Sequence, residues 1–155
     1  MQQSELIEIL LGKFEDLVLK KTWGESSLFY NPGNSAAHGS YFLTLKEKNG
    51  ANDNSSQLDR EGVFRVSFGV SRKSFEEIFG KTPARPSKGG NVSTGHDFTQ
   101  LDALMPHPIY AWMNWVQVLN PSHQTWINIQ HLVQESYGLS KTRLEKRKAE
   151  ESRGT

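Results

Sequence analysis

The stretch Gly62-Val63-Phe64-Arg65-Val66-Ser67-Phe68-Gly69-Val70 decides the fold class. Phe64, Val66, Phe68 and Val70 recur at every second position, with Val63, Arg65, Ser67 and Gly69 between them. A period of two puts the first set on one face of a β-strand and the second set on the other. The aromatic and β-branched set needs a covering layer, so the strand belongs to a sheet packed on one side. Arg65 in mid-strand marks the opposite face as solvated, paired or bound to an anion.

Working outward, Ser71 reads as the cap of a short helix, Arg72 to Phe79, stopped by Gly80. Upstream, Asp16 to Thr22, Ser27 to Tyr30 and Tyr41 to Glu47 read as strands, the second ending in the turn Asn31-Pro32-Gly33-Asn34. Strict alternation in the last of these places Phe42 and Thr44 beside Arg65 and Ser67. Lys48 to Gln57 is polar and reads as an exposed loop. A first helix is expected from Ser4, as its cap, to Gly12. Lys81 to Gly95 has no periodicity, and a connection of that length in a compact domain is commonly functional or disordered. Asp97 and Gln100 resemble a capping box. Ile109 to Leu119 is apolar on both faces and reads as a well-buried strand, with Trp112 and Trp115 on opposite faces. From His123 to Lys148 the stripe Trp126, Ile129, Leu132, Val133 and Tyr137, with Leu144, predicts a long helix before a frayed end. The expected fold is α+β: a mainly antiparallel sheet with N-terminal, short middle and long C-terminal helices on one face. Residues 1–150 are expected to form one domain and 151–155 a frayed tail.

Composition narrows the function classes. Leu, Ile, Val and Phe supply 37 of 155 residues, enough for a core, and no apolar run approaches a membrane span. The absence of cysteine removes disulfides, thiol catalysis and thiolate metal sites. Eighteen basic against seventeen acidic residues give +1, so the basic excess typical of duplex binders is missing. The N-terminus lacks a charged and apolar leader, and neither end carries a lipidation signature. A cytoplasmic protein with no cofactor is expected.

Gly80-Lys81-Thr82 ends like a phosphate-binding loop, but Phe75 stands where the first glycine belongs and the segment follows a helix. Thr94-Gly95-His96-Asp97, with Asp102 and His107, forms the densest polar constellation. His96, Asp102 and His107 are the metal candidates by residue type, though their spacing is no known ligand pattern. As turn and cap residues they need no ligand at all. The candidate ligand-binding set is Arg65, Ser67, His96, Asp97, His107 and Trp112, with Arg65 pairing an anion and His96, Asp97 and His107 fixing it by hydrogen bonds. No serine elbow or Ser/His/Asp order stands out, so no catalytic residue is assigned.

Leu58 through Arg65, Gly69-Val70-Ser71, Thr94 through Phe98, Met105-Pro106-His107-Pro108, Trp112-Met113 and Leu119 through Ser122 together resemble a family of uncharacterised bacterial proteins of about this length. More distantly, the N-terminal helix, the strand order and Leu132-Val133-Gln134-Glu135-Ser136-Tyr137 through Leu144 resemble the MmcQ/YjbR group. That second resemblance implies a frataxin-like arrangement and a DNA-binding role. The expected function is a non-catalytic binding or interaction module for an unknown small molecule or protein, with a homodimer as a further possibility. The alternatives are a YjbR-like nucleic-acid binder, drawing on Lys81, Arg85, Lys88 and the cations from Arg143 to Lys148, and a metal- or acid/base-dependent enzyme using His96, Asp97, Asp102 and His107.

Overall fold

The computed structural model of the chain describes residues 1–154. Its elements run α1 (Gln3–Lys13), β1 (Leu17–Thr22), β2 (Glu25–Tyr30), β3 (Ser40–Lys46), β4 (Arg65–Gly69), α2 (Arg72–Phe79), β5 (Met105–Pro106), β6 (Trp115–Leu119) and α3 (His123–Arg153). The six strands form one antiparallel sheet in the order β1-β2-β3-β4-β6-β5. The fold is α+β, and β4 is at its centre.

Register explains the core. Phe68 of β4 lies between Leu43 of β3 and Val116 of β6, and Val66 lies between Leu45 and Val118. Leu6 and Leu10 of α1, Phe75 of α2, and Trp126, Ile129, Leu132 and Val133 of α3 complete the same buried cluster. The helices therefore cover the face that the Phe64–Val70 alternation marks as apolar. Ser71 Oγ accepts the Ser74 N–H, and Gly80 ends α2 with φ of +87°, as its sequence predicts. Glu135 of α3 accepts from the Ser71 N–H and the Ser74 hydroxyl, tying α2 to α3. Ser122 Oγ caps α3 through the Thr125 N–H, and the helix runs on to Arg153.

Four local readings are corrected. The first helix starts at Gln3 with Gln2 as an uncapped first residue, and Ser4 lies inside it. In β3 the alternation breaks: Leu28 pairs with Leu43 but Phe29 pairs with Tyr41, which leaves Phe42 as the extra residue of a β-bulge. Phe42 consequently turns into the core, with its ring centroid 5.2 Å from that of Phe14 and 5.6 Å from that of Tyr137. The buried Ser136 hydroxyl donates to the Phe42 carbonyl and fixes the bulge. Tyr41, not Phe42, joins Thr44 on the Arg65 face.

The run Ile109–Leu119 is a strand only from Trp115. Ala111–Met113 forms a single 3₁₀ turn, and Asn114 takes a left-handed conformation with φ of 66°. The cause is His107, whose ring Nδ1 accepts the N–H groups of both Ile109 and Tyr110 and curls the chain before β6 begins. Trp112 therefore sits on a turn and does not oppose Trp115 across a strand. Asp97 starts no helix; it accepts from the N–H and hydroxyl of Thr99 in a turn.

The second face of β4 is not open. The segment 47–64 and the long connection before β5 fold across it. Ser56 donates to Gln117 Oε1 of β6, Gln117 Nε2 donates to the Phe98 carbonyl, and Arg60 donates to the carbonyls of Ser56 and Thr99. Leu58, Val63 and Leu119 form a small second apolar cluster there. All five residues of β4 are buried.

The bulge gives an asymmetric prediction. Phe42→Ala is expected to lower the unfolding free energy by about 3–5 kcal/mol, as for a buried aromatic. Its exposed neighbour Tyr41→Ala should cost less than about 1 kcal/mol. Urea unfolding of both variants checks this, and similar losses would contradict the bulge assignment.

Candidate functional site

A cavity of about 350 Å³ opens on the covered face of the sheet. β2 contributes Glu25, β3 contributes Tyr41, Thr44 and Lys46, β4 contributes Arg65 and Ser67, and Trp115 comes from β6. Asp53 enters from the β3–β4 connection, and His107, Tyr110 and Met113 from the segment leading into β6. A larger hollow of about 750 Å³ beside Met1 and Trp23 is lined by charged groups that all stand at the surface, including Glu47, Lys48 and Asp59. The smaller cavity alone holds buried ionisable groups at its wall, which distinguishes a built site from a surface hollow.

Arg65 is 3% exposed, and its Nη1 and Nη2 donate to the two carboxylate oxygens of Asp53 at 2.9 and 2.5 Å. Lys46 Nζ adds a third contact to Asp53 at 3.2 Å. Arg65 Nε is buried and has no hydrogen-bond partner among the described residues. Burial alone raises the Asp53 carboxyl, but the hydrogen bonds and charge of Arg65, helped by Lys46, outweigh it and hold the group far below the usual carboxylate range. Beside this cluster the Thr44 and Ser67 hydroxyls share a hydrogen bond of 2.6 Å across the strand pair.

His107 is the second element. Its backbone N–H donates to the Trp115 carbonyl, and its ring lies 4.9 Å from the Tyr110 ring, centroid to centroid. Burial depresses its pKa well below the usual imidazole value, and the positive charges of Arg65 and Lys46 add to this, while Asp53 opposes. The ring is neutral near pH 7. Nδ1 accepts two backbone N–H bonds of 3.1 Å, so the single proton resides on Nε2. The proton is thereby fixed on Nε2, and the ring forms part of the cavity wall. It is not poised as a base, because the nitrogen with the free lone pair is already doubly occupied.

Of the residues singled out from the sequence, Arg65, Ser67 and His107 line this one cavity. His96 stands apart on the α2 side, exposed, with Nδ1 2.9 Å from Thr94 Oγ1 and its ring edge-on to Phe79. Asp97 is exposed, and its hydrogen bonds from Thr99 hold its carboxyl below the usual range. Asp102 accepts the Ser122 N–H at 2.8 Å, which supports the start of α3. Trp112 faces an adjoining cleft. Among the described residues no three His, Asp or Glu side chains group as a metal site would require. Asp53, Lys46 and Tyr110 carry no such mark in the sequence. The one available signal is Arg65 itself, whose mid-strand charge is met by solvent, a paired group or an anion, and the structure shows the paired case.

The fold and cavity define a small α+β protein with a polar, preorganised pocket on its sheet face. Residues 1–149 match the family model DUF6194, a family of unknown function, and the chain belongs to that family. No curated protein and no solved structure matches the chain. The YjbR-like resemblance finds no support in these comparisons. Among the described residues no helix is long and apolar enough to cross a membrane.

The linkage of His107 has a definite sign. Its folded pKa lies below its unfolded value of about 6.5, so below that pH the unfolded chain gains a proton that the native ring refuses. Unfolding free energy is therefore expected to fall as pH drops from about 6.5 to 5, with a slope of up to about 1.4 kcal/mol per pH unit from this group. Denaturant titrations across that interval check it, and His107→Gln should flatten the slope. An equal slope in the variant would contradict a buried, neutral His107.

Proposed function

We propose that the protein is a non-catalytic binding module for a small, ring-bearing molecule that carries a hydrogen-bond acceptor, such as a carboxylate. The observation that carries this reading is the fixed Nε2–H of His107 beside Lys46 and Arg65: a group of cations and donors held in place before any ligand arrives. Preorganised donors lower the entropic cost of binding. Arg65 is locked by Asp53 and does not need to reorganise, while Lys46 Nζ has donors left beyond its single bond to Asp53. Tyr41, Tyr110, Met113 and Trp115 supply the flat and soft apolar walls a ring requires. The volume lies at the small end of ligand pockets, which favours one ring with a short polar arm.

A binding role also fits the proton inventory. A general base needs a free lone pair near the substrate, and the Nδ1 lone pair of His107 is held by two backbone amides. Asp53 is saturated by Arg65 and Lys46.

Benzoate and indole-3-acetate, two ring-bearing carboxylates, are suitable probes. For a dissociation constant near about 0.1 mM, about 10 mM probe adds roughly 2.7 kcal/mol, a Tm rise of about 5–10 °C for a chain of this length. Lys46→Ala should remove most of that rise, measured against the variant's own unliganded Tm, which the lost contact to Asp53 is expected to lower. No rise with either probe, or an equal rise in the variant, would overturn the reading.

A further inference from the structure

A second hollow of about 530 Å³ adjoins the first and shares Lys46, Asp53 and Tyr110 with it. Its far walls are the Gly50–Asp53 turn and the segment Arg85-Pro86-Ser87-Lys88-Gly89-Gly90. Three cations line it, Lys46, Arg85 and Lys88, against a single carboxylate among the described residues, Asp53. That carboxylate is already committed to Arg65 and Lys46. Arg85 and Lys88 have no ion-pair partner among the described residues.

Arg85 is nonetheless held in place. Its guanidinium carbon lies 4.7 Å from the centroid of the Trp112 ring, so one face of the fork is covered. A guanidinium stacked in this way keeps its edge N–H groups free for bidentate contact with oxyanions. The backbone adds to the donor set. The Gly90 N–H donates to the Ser87 carbonyl and closes a turn in which Gly89 has φ of 79°, and the amides of Lys88 and Gly89 take no part in that bond. Successive free amides in such a turn form a concavity suited to anions. The segment is anchored as well: Ser55 Oγ donates to Asn91 Oδ1 at 2.6 Å, and the Val92 N–H donates to the Pro108 carbonyl at 2.8 Å.

We propose that this cleft is a phosphate-binding subsite, and that the ligand is a phosphorylated small molecule whose ring occupies the neighbouring cavity. Several converging cations and backbone donors suit a tetrahedral dianion with many acceptor oxygens better than a planar monoanion. The ring placement rests on the function proposed above; the phosphate subsite does not.

The test is isothermal titration calorimetry with inorganic pyrophosphate and with 1-naphthyl phosphate, at one fixed salt concentration. Both are expected to bind the full chain, and the naphthyl ester at least about tenfold more tightly than pyrophosphate because its ring adds the second cavity. The double variant Arg85→Ala/Lys88→Ala alters two exposed residues, so it should fold, and it should weaken both probes by at least about tenfold. Indole-3-acetate should bind wild type and double variant within about twofold of each other. Absent pyrophosphate binding, or binding unchanged in the double variant, overturns the subsite even if the carboxylate probes still bind. Variant-sensitive pyrophosphate binding without any carboxylate binding keeps the subsite and overturns the cavity reading instead. A naphthyl ester no tighter than pyrophosphate overturns the claim that the two hollows serve one ligand.

Discussion

The guanidinium of Arg65 lies in the central strand of the sheet, and its charge is met by one carboxylate carried in from a loop. Removing either partner leaves a buried charge without compensation, which typically costs about 3–5 kcal/mol. Much of the covered face depends on this pair. Asp53 brings the β3–β4 connection over the strands, and Asn49 holds that connection by accepting the Leu58 N–H while its own N–H donates to Asp59. Ser56 then reaches Gln117, which in turn binds the Phe98 carbonyl of the long connection. Two irregular segments are thus stitched to β4 and β6 through polar contacts, and the cavity is the space left between them.

Burial sets the chemistry of His107, and the same pair modulates it. Burial depresses the His107 pKa, the positive charges of Arg65 and Lys46 add to this while Asp53 opposes it, and the imidazole stays neutral. Its proton is then fixed by local backbone geometry. Sequence position made this possible: His107 stands between Pro106 and Pro108, which contribute no N–H, so the first amides its ring can cap are those of Ile109 and Tyr110. The curl that those two bonds impose also sets Trp112 on its turn under Arg85, which joins the cavity to the cationic cleft beside it.

The regular parts of this architecture were legible because they follow single periodicities. The alternation around Phe64–Val70 exposed the central strand, the stripe from Trp126 to Leu144 exposed the long helix, and Ser71 with Gly80 bounded α2. Illegible features depended on partners distant in sequence. The bulge at Phe42 is held by Ser136 of α3, and nothing in Tyr41-Phe42-Leu43 announces it. The apolar run from Ile109 looks like one strand because apolarity alone does not reveal a ring nitrogen capping two amides. For the site, Arg65, Ser67 and His107 could be named from residue type and strand phase. Asp53 could not, since Lys48–Gln57 offers only a polar loop, and which acid meets a buried arginine is settled by the loop's path.

The site as described depends on a neutral His107 whose single proton is on Nε2. Long-range ¹H–¹⁵N correlation spectra of histidine-labelled protein report both charge and tautomer of each ring directly. At pH 7 His107 is expected to be neutral with a protonated Nε2 and an unprotonated Nδ1, a pattern that persists below pH 6.5. An imidazolium signal for His107 at pH 7, or a proton on Nδ1, would contradict it.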